Sequence, residues 1–133
     1  MAGNTERQWA AAAIAATLAC SAHAETVACH VTYGGETRII SAAATTQALA
    51  VAPLAIGSYF MFRIVFRQEP ADLATVKLTT YADRDDAPTI IHQVTHPYPP
   101  APAAVHGFTG LNFVYEPVRD GELQYWCEMK DAP

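Results

Sequence analysis

The stretch Phe60-Met61-Phe62-Arg63-Ile64-Val65-Phe66 decides the fold class. Phe60, Phe62, Ile64 and Phe66 alternate with Met61, Arg63 and Val65. Successive side chains of a β-strand point to opposite faces, so this period of two puts the three phenylalanines and Ile64 on one buried face.

The same period runs outward in both directions. Val27, Cys29, Val31 and Tyr33 alternate with Ala28, His30 and Thr32. Gly34-Gly35 then supplies a turn, and Thr37 to Ile40 returns as the second arm of a hairpin. Ala74, Val76, Leu78 and Thr80 alternate with Thr75, Lys77, Thr79 and Tyr81, and Thr89–His96, Gly110–Tyr115 and Leu123–Met129 continue the series. Turn-forming residues separate these runs at Gln68-Glu69-Pro70, Asp83-Arg84-Asp85-Asp86 and Arg119-Asp120-Gly121-Glu122. The pattern predicts an all-β, immunoglobulin-like antiparallel sandwich or small barrel of about six or seven strands. Ala42 to Ala52 breaks the period, and Pro53 and Gly57 favour a strand or an extended connection there over a helical turn.

Residues 1–24 read as a secretory signal peptide. Arg7 precedes the apolar run Trp9–Ala19, and Ala22-His23-Ala24 is a small-x-small cleavage site. The run is too short to span a bilayer, and no second long apolar run follows, so residues 25–133 are expected as one secreted or periplasmic domain. Thr17-Leu18-Ala19-Cys20 offers a lipid anchor on Cys20 as the alternative. The net charge of −5 and the scattered lysines and arginines exclude the electrostatic footprint of a nucleic-acid binder.

Cys29 and Cys127 remain near the two ends of the mature chain. In an oxidising compartment such a pair reads as a disulfide. Cys29 shares a face with Val27 and Val31, and Cys127 with Leu123, Tyr125 and Met129, so both point inward. A bridge needs Cα atoms roughly 5.5 Å apart, which makes the first and last strands neighbours or partners across the sandwich.

Candidate sites are of two kinds. His96-Pro97-Tyr98-Pro99-Pro100-Ala101-Pro102 is an extended proline-rich stretch that leads to Phe108. It reads as a recognition loop offering Tyr98 and Phe108 to a protein partner or small ligand, or as a stiff crossover between the sheets. Tyr59, Met61 and Val65 around Arg63 would add an apolar face if uncovered, and Trp126, opposite in phase to Cys127, is a further aromatic candidate. The alternative is a periplasmic copper carrier using His92, His96 and His106 with a methionine thioether. Against it, residues four apart on a strand lie about 13 Å from each other. No catalytic motif is present: there is no Gly-x-Ser-x-Gly elbow, no phosphate-cradling glycine loop and no His-Glu-x-x-His. The expectation is a binding or accessory module of unidentified ligand rather than an enzyme, holding no cofactor.

Overall fold

The structure, a computed structural model, describes Gly3, residues 24–103 and residues 105–131. The expected leader, Cys20 and its lipid-anchor alternative included, lies outside the described residues apart from Gly3 and Ala24.

Eight strands form in chain order: β1 Glu25–Tyr33, β2 Glu36–Ala43, β3 Leu54–Ile56, β4 Phe60–Arg67, β5 Thr75–Asp83, β6 Pro88–Pro97, β7 Asn112–Glu116 and β8 Gly121–Asp131. They make two four-stranded antiparallel sheets, ordered β2-β1-β8-β7 and β3-β4-β5-β6. The seven expected strands are all present. The eighth, β3, has three residues of which two are exposed, too few to show a period. The crossover from β2 to β3 contains a single 3₁₀ turn, Ala48–Ala50.

The alternating residues of the two sheets meet in one core. Val27, Cys29 and Val31 of β1 and Leu123, Tyr125 and Cys127 of β8 face Phe60, Phe62, Ile64 and Phe66 of β4 and Val76 and Leu78 of β5. Phe62 and Tyr125 pack with ring centroids 5.1 Å apart across the sheets. Each fully buried side chain of this size contributes about 1.5–3 kcal/mol relative to exposure, so the period of two is also the main energetic term.

Connectivity refines the immunoglobulin-like expectation. Strands adjacent in sequence pair within each sheet, and the two changes of sheet join edge strands, β2 to β3 and β6 to β7, so the chain runs as a meander without a Greek-key crossover. The circuit closes where β8 pairs β1, from Glu25 opposite Asp131 to Thr32 opposite Gln124. Cys29 stands directly opposite Cys127 in that ladder, and the two are bonded with Cα atoms 4.0 Å apart. The first and last strands are therefore neighbours in one sheet, and the disulfide crosses between strands rather than between layers. Directly opposed residues of an antiparallel pair lie closer than a typical bridge, at about 4.5 Å, when no ladder hydrogen bonds join them.

At one end of the sandwich polar side chains tie the two sheets together. Glu116, the last residue of β7, is buried at 1 % exposure, and its carboxylate accepts from the Val118 and Arg119 amides of the following turn at 3.1 and 2.8 Å. Arg84 adds a third donor from the β5–β6 loop at 3.3 Å. Burial alone would raise this carboxyl, but the three donors outweigh it and hold the group below the ordinary range. No helix among the described residues is long and apolar enough to cross a membrane.

Candidate functional site

The proline-rich segment does more than connect the sheets. β7 pairs with β8 only as far as Asn112 opposite Tyr125, so among the described residues β8 continues from Trp126 to Asp131 with no strand on that side. Residues 107–109 take over where β7 is missing. The Phe108 amide donates to the Cys127 carbonyl at 3.0 Å, and the Cys127 amide donates to Thr109 Oγ1 at 2.9 Å. Such a pair reproduces one ladder step with a loop. The loop is closed upon itself by Ala103 N to Gly107 O, 2.8 Å, and Gly110 N to His106 O, 3.0 Å.

Gly107 makes this docking possible. Its φ is +64°, and a Cβ there would stand 2.1 Å from the Cys127 carbonyl oxygen. Only glycine combines that backbone angle with so close an approach.

Between the loop and the open end of β8 lies a cavity of about 380 Å³, walled by Pro100, Pro102, Val105 and Phe108 from the loop side and by Glu128 and Met129 of β8. Most of the wall is apolar, and Glu128 is the one acidic residue that lines it. The Glu128 carboxylate accepts from the His30 ring at 2.6 Å, and His30 in turn stacks on Trp126 with centroids 3.8 Å and planes 3° apart. His106, on the loop, meets the same indole edge-on at 5.7 Å. His30, Trp126 and Glu128 all project from the outer face of the sheet, and the loop brings His106 to them.

The sequence candidates distribute as follows. Trp126 is half-buried in this cluster; it does not itself line the cavity but meets His106 and adjoins Glu128 through His30, and both His106 and Glu128 do line it. The expectation that Phe108 is exposed is corrected: it is 8 % exposed and belongs to the core, because its backbone is hydrogen-bonded to β8 and its ring turns inward. Tyr98 is half-buried rather than presented to solvent. Its ring packs on Phe66 at 4.9 Å, and its hydroxyl donates to Glu25 at 3.1 Å while lying 3.4 Å from the Gln68 amide that donates to it. Burial raises the Tyr98 phenol, with Gln68 opposing and Glu25 adding to the shift. Tyr98 thus braces the start of β1 against the β4–β5 turn.

The outer side of β4 is partly covered. The crossover after β2 lies over it: the Thr45 amide donates to the Phe66 carbonyl at 2.8 Å, and Arg63 donates to the carbonyls of Val51, at 2.7 Å, and Ala48. Val65 is consequently buried, while Met61 is half-buried. Tyr59 is exposed on its own side but carries the Arg119 guanidinium 4.7 Å above its ring. Neither Tyr59 nor Met61 lines the cavity beneath the proline-rich loop.

The three histidines of the copper alternative have separate partners. His92 stands beside Tyr125, Nδ1 3.4 Å from the hydroxyl, and His96 meets Phe108 edge-on at 5.2 Å, both on the core side of β6. His106 lies across on the Trp126 side. Burial lowers the basicity of His92 and His96. Among the described residues no group of three His, Cys, Asp or Glu side chains is placed to hold a metal ion.

Two members of the cluster were not legible beforehand. His30 and Glu128 each show the outward phase of their strands, and that was the only signal. Their meeting depends on the β1–β8 register, which sets Ala28 opposite Glu128 and His30 opposite Trp126. Comparison with protein-family models, with curated proteins and with solved structures finds no match to this chain.

Proposed function

We propose that the chain is a secreted or periplasmic binding module, without catalytic activity, whose ligand enters the cavity between the proline-rich loop and the free end of β8. The observation that carries this reading is the cavity itself. At about 380 Å³ it falls within the usual range for small-ligand sites, and its wall is mainly apolar with Glu128 as its one acidic residue. That combination suits an apolar group bearing a cation or hydrogen-bond donor, either a small amine or a side chain of a partner peptide. The closed disulfide and the leader-like sequence support an oxidising, extracytoplasmic location. No observation favours the copper carrier as a second reading.

Trp126 reports on the cavity, since Trp9 is the other tryptophan of the chain. In the full chain carrying Trp9→Phe, titration with phenethylamine is expected to change the Trp126 fluorescence saturably, with a Kd on the order of 1 mM for so small a probe. Glu128→Gln is expected to weaken that response severalfold, because it removes the charge that faces the amine. A response that never saturates, or one indifferent to Glu128, overturns the reading.

A further inference from the structure

We propose that a second cleft, on the outer face of the β3-β4-β5-β6 sheet, binds a phosphoryl oxyanion. The chain has 8 lysines and arginines against 13 aspartates and glutamates, yet three of those cations, Arg63, Arg67 and Lys77, line one cavity of about 190 Å³. Their convergence follows from register. Lys77 of β5 stands opposite Val65 of β4, so Arg63 and Arg67, two residues to either side of Val65, are both its diagonal neighbours. Such neighbours lie about 7–8 Å apart, within reach of long side chains. Val65 forms a buried floor, Thr75 adds a hydroxyl, and Leu49, 99 % exposed on the crossover, forms an apolar lip.

Two features separate this cleft from an ordinary solvated strand face. None of the ion pairs among the described residues involves Arg63, Arg67 or Lys77; those pairs engage His30, Arg84 and Arg119 instead. Three like charges gathered without a carboxylate repel one another, and an oxyanion placed among them removes that cost. Arg63 is also held in place before any ligand arrives, through Nε to the Val51 carbonyl and Nη2 to the Ala48 carbonyl. A guanidinium has five N–H donors, so these two bonds leave the Nη1 donors of this cleft-lining residue unused. The acidic balance of the whole chain does not oppose this, because charges more than about 8 Å away are largely screened at physiological ionic strength.

The phosphoryl group has two possible sources, a soluble phosphate compound or a phospholipid headgroup that lets Leu49 rest against the acyl boundary. Calorimetric titration of the full chain with inorganic phosphate, at about 150 mM ionic strength so that distant charges stay screened, addresses the first. Co-sedimentation with phosphatidylglycerol–phosphatidylcholine vesicles, compared with phosphatidylcholine alone, addresses the second. The double variant Arg67→Gln/Lys77→Gln is expected to weaken whichever binding is found by about tenfold. Arg38→Gln/Lys130→Gln removes the same charge elsewhere and is expected to leave it within about twofold. Phosphate binding with that dependence supports the site and assigns a soluble ligand, and vesicle binding alone with that dependence supports it and assigns a headgroup. Absence of saturable binding to both probes, or equal loss in the two double variants, overturns the proposal.

Discussion

Gly107 is the residue on which the loop turns, and its role can be separated from that of the other left-handed glycines. At Gly34 φ is +63° and a Cβ would meet nothing within 4 Å, whereas at Gly107 the same addition strikes the Cys127 carbonyl. Gly34→Ala is therefore expected to cost about 1 kcal/mol, the backbone term alone. Gly107→Ala is expected to cost at least about 2 kcal/mol and to detach the loop from β8. Urea denaturation of the two variants checks this, and similar losses would mean that the loop docks without the close approach. At this scale the sequence was partly legible. The phase of Cys29 and Cys127 revealed their inward faces and hence the bridge, because that inference needs only each strand's own pattern. Phe108 misled, since a ring following a proline-rich run carries no periodic signal of burial. His30 and Glu128 were hidden because cross-strand pairing depends on register.

Among the elements, β6 is an edge strand with two imidazoles on its core side, and it should respond to acid. His92 and His96 have folded pKa values lowered from 6.5 by burial, so the unfolded chain binds protons at pH values where the folded chain does not. Stability is accordingly full above the unfolded value and falls as pH drops below about 6.5. The double variant His92→Gln/His96→Gln is expected to flatten the stability profile between pH 6.5 and 5, measured as urea midpoints against pH. An unchanged slope would contradict the assignment. Below that window Glu116 acts with the opposite linkage. Its folded pKa lies under the ordinary glutamate value of 4.5, so its contribution is present above 4.5 and is lost as pH falls through the lower folded value. Glu116→Gln is expected to lower the midpoint at pH 7 and to do so less at pH 3. Of the elements, the seven strands with a clear alternation could be read directly. β3 could not, since three residues cannot show a period, and the crossover that covers Val65 is held by Arg63 reaching backbone carbonyls, which no side-chain pattern announces.

Over the whole molecule, the β1–β8 ladder closes the meander, with Cys29–Cys127 inside it. A crosslink spanning a sequence separation of 98 residues stabilises by about 4–5 kcal/mol in the chain-entropy model. For a domain of this length that corresponds to a Tm lower by on the order of 15 °C in Cys29→Ala/Cys127→Ala, readable by calorimetry. A change of a few degrees would show that the ladder holds the ends without the bond. The two-layer class was legible from the count and spacing of strands, but the order of strands was not, because a Greek key and a meander share the same alternation. The cavity belongs to this level too: it exists because β7 stops at Asn112 while β8 continues to Asp131. A measurement that tests its role most directly is chemical-shift mapping of the labelled full chain against a set of amine-bearing, neutral and anionic apolar fragments. The account predicts that the amines shift residues 100–108 and 126–129 together and saturably, ahead of the other two classes. Shifts centred elsewhere on the sandwich, or none in that cluster from any class, would contradict it.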